Sequence, residues 1–274
     1  MPDDSEPDDS EGAAGMVSNS ERVAIVTGGG TGIGRAVALH LAARGWRVGV
    51  NYARSREAAE ATAAECATAG GEGLALPGDV ALDSDCRRIV AATIERWGRL
   101  DSLVNNAGVT AFAPASDLDA LDATDFTRIF SVNVTAAYQM ARAATPALRE
   151  ARGAIVNISS HGAFSGLGSS MAYAASKGAL NTLALARALA PEIRVNAVCP
   201  GFVDTDWVRR RMTPEAYDDF RARVARMTPL GRMSDAGEIA EAVGWFAMGG
   251  PTITGQLLVV DGGVHLTVRT PMDS

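Results

Sequence analysis

Tyr173 and Lys177 stand four positions apart in "YAASKGAL" (173–180), a stretch of helical character, so their side chains share one helix face. Lys177 is the only lysine of the chain; every other one of its 25 basic residues is arginine. A free tyrosine has a pKa near ~10 and trades protons sluggishly at neutral pH. A neighbouring ammonium favours the phenolate, so Lys177 is expected to lower that pKa and make the phenol a usable general acid or base. The ammonium also carries three donors on a flexible stem, enough to hold a hydroxyl while facing the phenol. A rigid guanidinium does not substitute well. A Tyr-x-x-x-Lys pair is also a common helix-surface pair, and it is the use of a lone lysine that shifts the weight towards chemistry.

A second group of residues is suited to holding phosphate. "TGGGTGIGRA" (27–36) follows the short apolar run "RVAIVTG" (22–28). Its glycines, Gly28, Gly32 and Gly34, depart from the G-x-G-x-x-G spacing of the dinucleotide fingerprint. The physics is shared: glycines let the backbone turn tightly and approach a pyrophosphate. Thr31, Gly32 and Ile33 would then open a helix whose free N–H groups and positive end favour that anion. Such turns also occur for packing alone. An NAD site places an acid after the second strand, for the ribose 2′-hydroxyl. Here "WRVGVNY" (46–52) ends in Asn51-Tyr52 and runs on through Ala53, Arg54 and Ser55 with no acid. Arg54 and Ser55 suit a 2′-phosphate, so NADP(H) is expected over NAD(H); a solvated arginine at a helix start is the plain alternative.

These residues sit in an alternation of strands and helices. Strand-like runs are 22–28, 46–52, 72–80, 100–108, 153–160, 193–201 and 255–263, bounded by glycine, with helical patterns at 34–45, 55–70, 83–98, about 122–151, 172–190 and 235–248. Seven apolar strands separated by helices predict an α/β fold. It is a Rossmann-type, doubly wound, mostly parallel sheet with helices on both faces and right-handed crossovers. One domain is expected over residues 21–268, between a disordered tail at 1–20 and a short tail at 269–274.

Charge and composition exclude several classes. Six of the 32 acids lie within residues 1–20, which hold no base, leaving 25 basic against 26 acidic residues elsewhere. The acidity belongs to the tail, which is either an interaction tail or an unselected extension with Met16 as a second start. The tail lacks a positive region and an apolar stretch, so it does not read as a signal peptide. No apolar run reaches the ~18 residues of a membrane span. A near-neutral body with no basic stripe argues against nucleic acid as partner. Cys66, Cys86 and Cys199 form no CxxC pair, and His40, His161 and His265 are scattered, so neither a disulfide framework nor a metal site is expected. A cytoplasmic location fits.

Taken together, "TGGGTGIG" (27–34), "GDV" (78–80), "NNAG" (105–108), Asn133 in "VNVT", "NISS" (157–160), "YAASK" (173–177), "PGFVDT" (200–205) and "ITGQLLVVDGG" (253–263) resemble the classical short-chain dehydrogenases/reductases. The resemblance runs from about Arg22 to Gly263. It implies that Tyr173 is the catalytic acid/base and that Lys177 binds the nicotinamide ribose while lowering the tyrosine's pKa. Ser160, thirteen residues before the tyrosine, would polarise the substrate carbonyl, and Asn133 would position a water that relays protons through Lys177. Asp79 and Val80 fall to the adenine, Asn105, Asn106, Ala107 and Gly108 to the ribose side, and Val203 and Thr205, after Pro200 and Gly201, to the carboxamide. One departure is Thr31, where NADP-preferring members often carry a basic residue; Arg54 must then do most of the selecting. His161 falls at the pocket edge, as a substrate contact or an incidental neighbour.

The resemblance is closest to the 3-oxoacyl-(acyl-carrier-protein) reductase type, through "VNYARS" and "MTPLGR", segments that recur in members acting on sugars, steroids and polyketides. It implies hydride transfer between a nicotinamide and a small-molecule ketone or secondary alcohol. An NAD-dependent alcohol, sugar or steroid dehydrogenase and a catalytically silent nucleotide-binding scaffold are the rivals. Residues 204–232 would form the lid, with Trp207, Met212 and Phe220 lining the pocket or pinning the lid. Arg209, Arg210 and Arg211 would receive an acidic carrier or form a solvated helix face. Alanine-rich helices at 122–150 and 172–190 suit a homotetramer or dimer, or a buried surface within one chain.

Overall fold

The computed structural model describes residues 21–182 and 185–266. The expectations for residues 1–20 and 267–274 lie outside the described residues, as do positions 183 and 184 of the expected helix 172–190. Seven strands form one sheet: β1 (Val23–Val26), β2 (Arg47–Tyr52), β3 (Glu72–Pro77), β4 (Ser102–Asn105), β5 (Ala154–Ile158), β6 (Arg194–Pro200) and β7 (Leu257–Val260). Their spatial order is β3-β2-β1-β4-β5-β6-β7, and every pairing is parallel. The chain leaves β1 towards one edge and β4 towards the other. The crevice between these two strands, at their carboxyl ends, is where ligands bind in open α/β sheets.

The helices are α1 (Gly32–Ala42), α2 (Arg56–Thr68), α3 (Asp83–Trp97), α4 (Ala123–Phe130), α5 (Ala136–Glu150), α6 (Gly162–Ser165), α7 (Met171–Thr182), α8 (Leu185–Leu189), α9 (Asp206–Arg209), α10 (Pro214–Met227) and α11 (Ala236–Met248). Alternation along the strands builds two cores. Ala24 and Val26 of β1 face Val48, Val50, Val104 and Val156, under α1 and α11. Val23 and Ile25 face Leu103 and Ile155 on the opposite side, under α3 and α5. The inner strands β1, β2, β4, β5 and β6 are thus buried on both faces, which explains their near-continuous apolar sequences, whereas the edge strands β3 and β7 are partly exposed.

Two details refine the sequence-based elements. The expected helix at 122–151 is two α-helices joined by a π-helical segment, Ser131–Thr135, with Asn133 at its centre. Its start is set by Asp122, whose carboxylate accepts from Asp125 N at 2.9 Å. Four alanines of α5, Ala136, Ala137, Ala141 and Ala144, are buried in the chain's own core.

Candidate active site

A cleft of about 1180 Å³ opens where β1, β4, β5 and β6 end. Its first wall is the loop from β1 into α1. Gly28 and Gly32 adopt left-handed backbone at φ +61° and +53°, which only glycine takes without strain. Asn106 braces this loop from β4, donating through Nδ2 to Thr27 O at 2.9 Å and Gly28 O at 3.1 Å. Thr27 Oγ1 returns the brace by accepting from Asn106 N at 2.9 Å and Ala107 N at 3.0 Å. Gly28, Thr31, Gly32, Ile33, Asn106, Ala107 and Gly108 line the cleft as expected. Gly34 does not line it. It lies behind the loop, where a Cβ would sit 2.4 Å from Gly28 O. Thr31 caps α1 with no side-chain hydrogen bond, and the first turn carries no acid. The free N–H groups of that turn suit a pyrophosphate.

The end of β2 is only partly as expected. Ser55 lines the cleft together with Tyr52 and Ala53, and Arg54 does not; its side chain is exposed to solvent. Asn51 is buried and spent inside the fold, donating to Leu76 O at 3.1 Å and Gly78 O at 3.0 Å. Asp79 is turned away: its Oδ1 accepts from Ala81 N at 3.0 Å, and its own N–H is held by Asp85 Oδ2 at 2.8 Å. Val80 packs into the core beneath β1 and β4. Asn51, Arg54, Asp79 and Val80 are not among the residues that line the cleft.

Ser160, Tyr173 and Lys177 converge on the opposite wall, with Pro200, Gly201, Val203 and Thr205 beside them. Ser160 follows β5, and α7 carries the other two. Lys177 is 3% exposed, and its Nζ donates to Ile158 O at 2.7 Å and lies 5.6 Å from the Tyr173 ring centroid. The electrostatics differ from the sequence-based expectation. Burial pushes the Tyr173 phenol up to about 12, with a hydrogen bond from Ser160 opposing it. Burial also draws the Lys177 ammonium down to about 8. In the protein alone, desolvation outweighs the pairing, and the phenol keeps its proton.

Asn133 stands behind this wall. It is 2% exposed and its side chain is fully engaged. Nδ2 donates to Val109 O at 3.0 Å and to Ser176 Oγ at 2.9 Å, and Oδ1 accepts from Val109 N at 2.8 Å. Ser176 Oγ in turn donates to Tyr173 O at 2.7 Å. The amide thus props the turn of α7 that carries Tyr173; neither of its N–H groups is left for a water.

Over the cleft lies the segment 204–232. Trp207, Met212 and Phe220 all line the cleft. Arg209 pairs with Asp204 and Arg210 with Asp206, so two of the three arginines are neutralised within the lid. Arg211 stacks over Phe112, 4.3 Å from its centroid. Tyr217 ties α10 down by donating to Asp204 Oδ1 at 2.7 Å. Phe112 and Phe202 are cleft residues the sequence reading missed; Phe202 lay inside the quoted "PGFVDT", and Phe112 carries no local signal.

A switch-point cleft, a glycine loop at a helix start and a hydroxyl-bearing wall with one buried amine define a single-domain dinucleotide oxidoreductase. The family model described as "Enoyl-(Acyl carrier protein) reductase" matches residues 28–265. A Streptomyces violaceoruber protein named for a ketoacyl reductase of the granaticin polyketide synthase is 42% identical over 247 residues, 89% of this chain and 96% of that protein. The 3-oxoacyl-(acyl-carrier-protein) reductase FabG of Staphylococcus aureus is 35% identical over 248 residues, 89% and 98% of the two chains. A crystal structure described as a short-chain dehydrogenase/reductase from Burkholderia xenovorans superposes with a TM-score of 0.84 at 41% identity, covering 90% of this chain and 98% of that one. The chain belongs to the short-chain dehydrogenase/reductase family. It is an oxidoreductase acting on a carbonyl or alcohol with a nicotinamide dinucleotide.

Proposed function

We propose that the protein reduces a ketone with NADPH, a 3-oxoacyl thioester being the substrate class. The observation that carries this reading is the half-buried Tyr173 lining the cleft beside Ser160 and Lys177, its phenol held in the protonated form by desolvation, because reduction needs a proton donor where negative charge develops. The bound nicotinamide would supply the hydride to the carbonyl carbon. The Ser160 hydroxyl accepts from Gly162 N at 3.1 Å, and its O–H, which reaches Tyr173 in the protein alone, would turn to the substrate oxygen. Tyr173 gives its proton to that oxygen. Lys177 keeps two N–H groups beyond its bond to Ile158 O and holds a ribose hydroxyl with them. Asn133 acts as a positioning residue through Ser176.

NADPH is favoured because β2 ends without an acid and Arg54 stands unpaired next to the cleft residue Ser55. Arg54 can swing in from solvent to a 2′-phosphate. A homo-oligomer is the assembly: β7 forms a sheet edge whose Leu257 and Leu258 are exposed, with exposed Trp245 on α11. No helix among the described residues is long and apolar enough to cross a membrane, and Cys66, Cys86 and Cys199 are free and buried; both fit a cytoplasmic enzyme.

The test is turnover of a 3-oxoacyl thioester with NADPH and with NADH, beside a 2-enoyl thioester. Oxidation of NADPH in preference to NADH with the ketone is expected. Preference for NADH would overturn the cofactor reading, and turnover of the enoyl thioester alone would overturn carbonyl reduction.

A further inference from the structure

His161 follows Ser160 directly, lines the cleft, and is 4% exposed. Its main chain is fixed on both sides. The N–H donates to Pro200 O at 2.9 Å, and the carbonyl accepts from Phe164 N at 3.0 Å and from Ser165 Oγ at 3.3 Å. Its ring packs on Phe202, with centroids 5.3 Å apart, and Phe202 packs edge-on against Phe220 of the lid at 5.8 Å. The ring therefore has a defined place, and that place is the floor of the substrate side of the cleft.

Its polar atoms are not accounted for. Nδ1 is sealed from solvent and has no hydrogen-bond partner, and no bond reaches Nε2 either. Burial holds the imidazole below its ordinary pKa, with Asp261 opposing and His265 reinforcing, so the ring is neutral near pH 7 and carries one N–H. A buried orphan N–H is rarer and costlier than a buried orphan acceptor. The proton therefore belongs on Nε2, the nitrogen that is not sealed. An N–H that opens to the cleft, meets no acceptor among the described residues and stands beside the hydroxyl that meets the substrate carbonyl is placed to donate to a ligand.

We propose that His161 selects the substrate: its Nε2–H donates to a second oxygen beyond the reacting carbonyl, so the preferred class is 1,3-dicarbonyl compounds rather than isolated ketones. In a 3-oxoacyl thioester that acceptor is the thioester carbonyl, with the chain against Phe202. This inference rests on the ketone-reduction reading and adds a recognition element to it.

The test compares kcat/KM for 3-oxobutanoyl-N-acetylcysteamine with that for a straight-chain monoketone of similar length. The native enzyme prefers the dicarbonyl. His161→Phe keeps the ring stack and removes the donor, and His161→Leu removes it with less bulk. Either cuts the ratio of the two kcat/KM values by about tenfold, the worth of one neutral hydrogen bond, with the change in KM rather than kcat. His161→Gln restores most of the ratio. An unchanged ratio, or equal losses on both substrates, overturns the selecting role and leaves ketone reduction standing. Failure of the native enzyme to reduce either compound overturns the ketone reading, and this inference with it.

Discussion

The floor of the cleft and its lid are built on different principles. The floor hangs from strands buried on both faces, and its functional groups are held by bonds to the main chain of neighbouring elements. Lys177 Nζ is on Ile158 O, Asn106 clasps Thr27 O and Gly28 O, and Ser176 links Asn133 to Tyr173 O. The lid is two helices on the surface, held by exposed ion pairs of its own, by one phenol-to-carboxylate bond and by a few anchors such as buried Val224 and the Phe220–Phe202 ring contact. Buried bonds of the first kind fix geometry, whereas exposed pairs contribute little each and yield easily. Chemistry is accordingly expected from the floor, and adjustable substrate fit from the lid.

The sharpest break in this contrast comes from Tyr173→Phe. It removes the proton donor and leaves the fold intact, so kcat/KM for reduction should fall about a thousandfold while NADPH binding by fluorescence stays within about threefold. Lys177→Met comes next, with a loss of about a hundredfold in kcat/KM. It should also raise Tm near pH 7, because it removes a buried ammonium with a single bond to the protein. The unfolded chain holds this proton up to the ordinary 10.5 and the folded one only up to about 8. The mutant's stability advantage should therefore shrink as pH rises through that window, as parallel melts would register.

Gly34→Ala sharpens the comparison within the floor. Its Cβ would meet the backbone oxygen of Gly28 at 2.4 Å and Asn106 Nδ2 at 2.5 Å. Overpacking of that kind costs about 1–3 kcal/mol, and chemical denaturation together with a roughly tenfold weaker NADPH Kd should show it. The smallest effect belongs to the lid. Asp204→Asn weakens the hold on Arg209 and Tyr217, and KM should rise about threefold with kcat unchanged in steady-state assays. A kcat loss as large as that of Lys177→Met would erase the distinction between floor and lid.

The same contrast explains what was legible in the sequence. The inner strands are legible because double-sided burial leaves apolar runs between glycines, the partly exposed edge strands β3 and β7 because they too are short apolar runs, and Tyr173, Lys177 and Ser160 because helix spacing and motif order place them together. Sequence order does not say which way a side chain turns. The side chain of Asn51 is engaged with β3 and its following turn, Asp79 Oδ1 with its own turn and Val80 with the core, partnerships that sequence order does not reveal. The alanine-rich pattern of α5 left subunit contact and a surface within the chain both open, and Ala136, Ala137, Ala141 and Ala144 serve the chain's own core. The phenol's acidity was read from its neighbour's charge alone, and desolvation of both groups is visible only once burial is known.

That last difference can be decided directly. Phenolate absorbance of the cofactor-free enzyme, titrated from neutral to strongly alkaline pH and subtracted against Tyr173→Phe, reports the ionisation of Tyr173 alone. A buried proton donor predicts a difference signal that emerges only towards a pH of about 12. A phenol that ionises near neutrality would contradict this account and restore the neighbouring ammonium as the dominant influence.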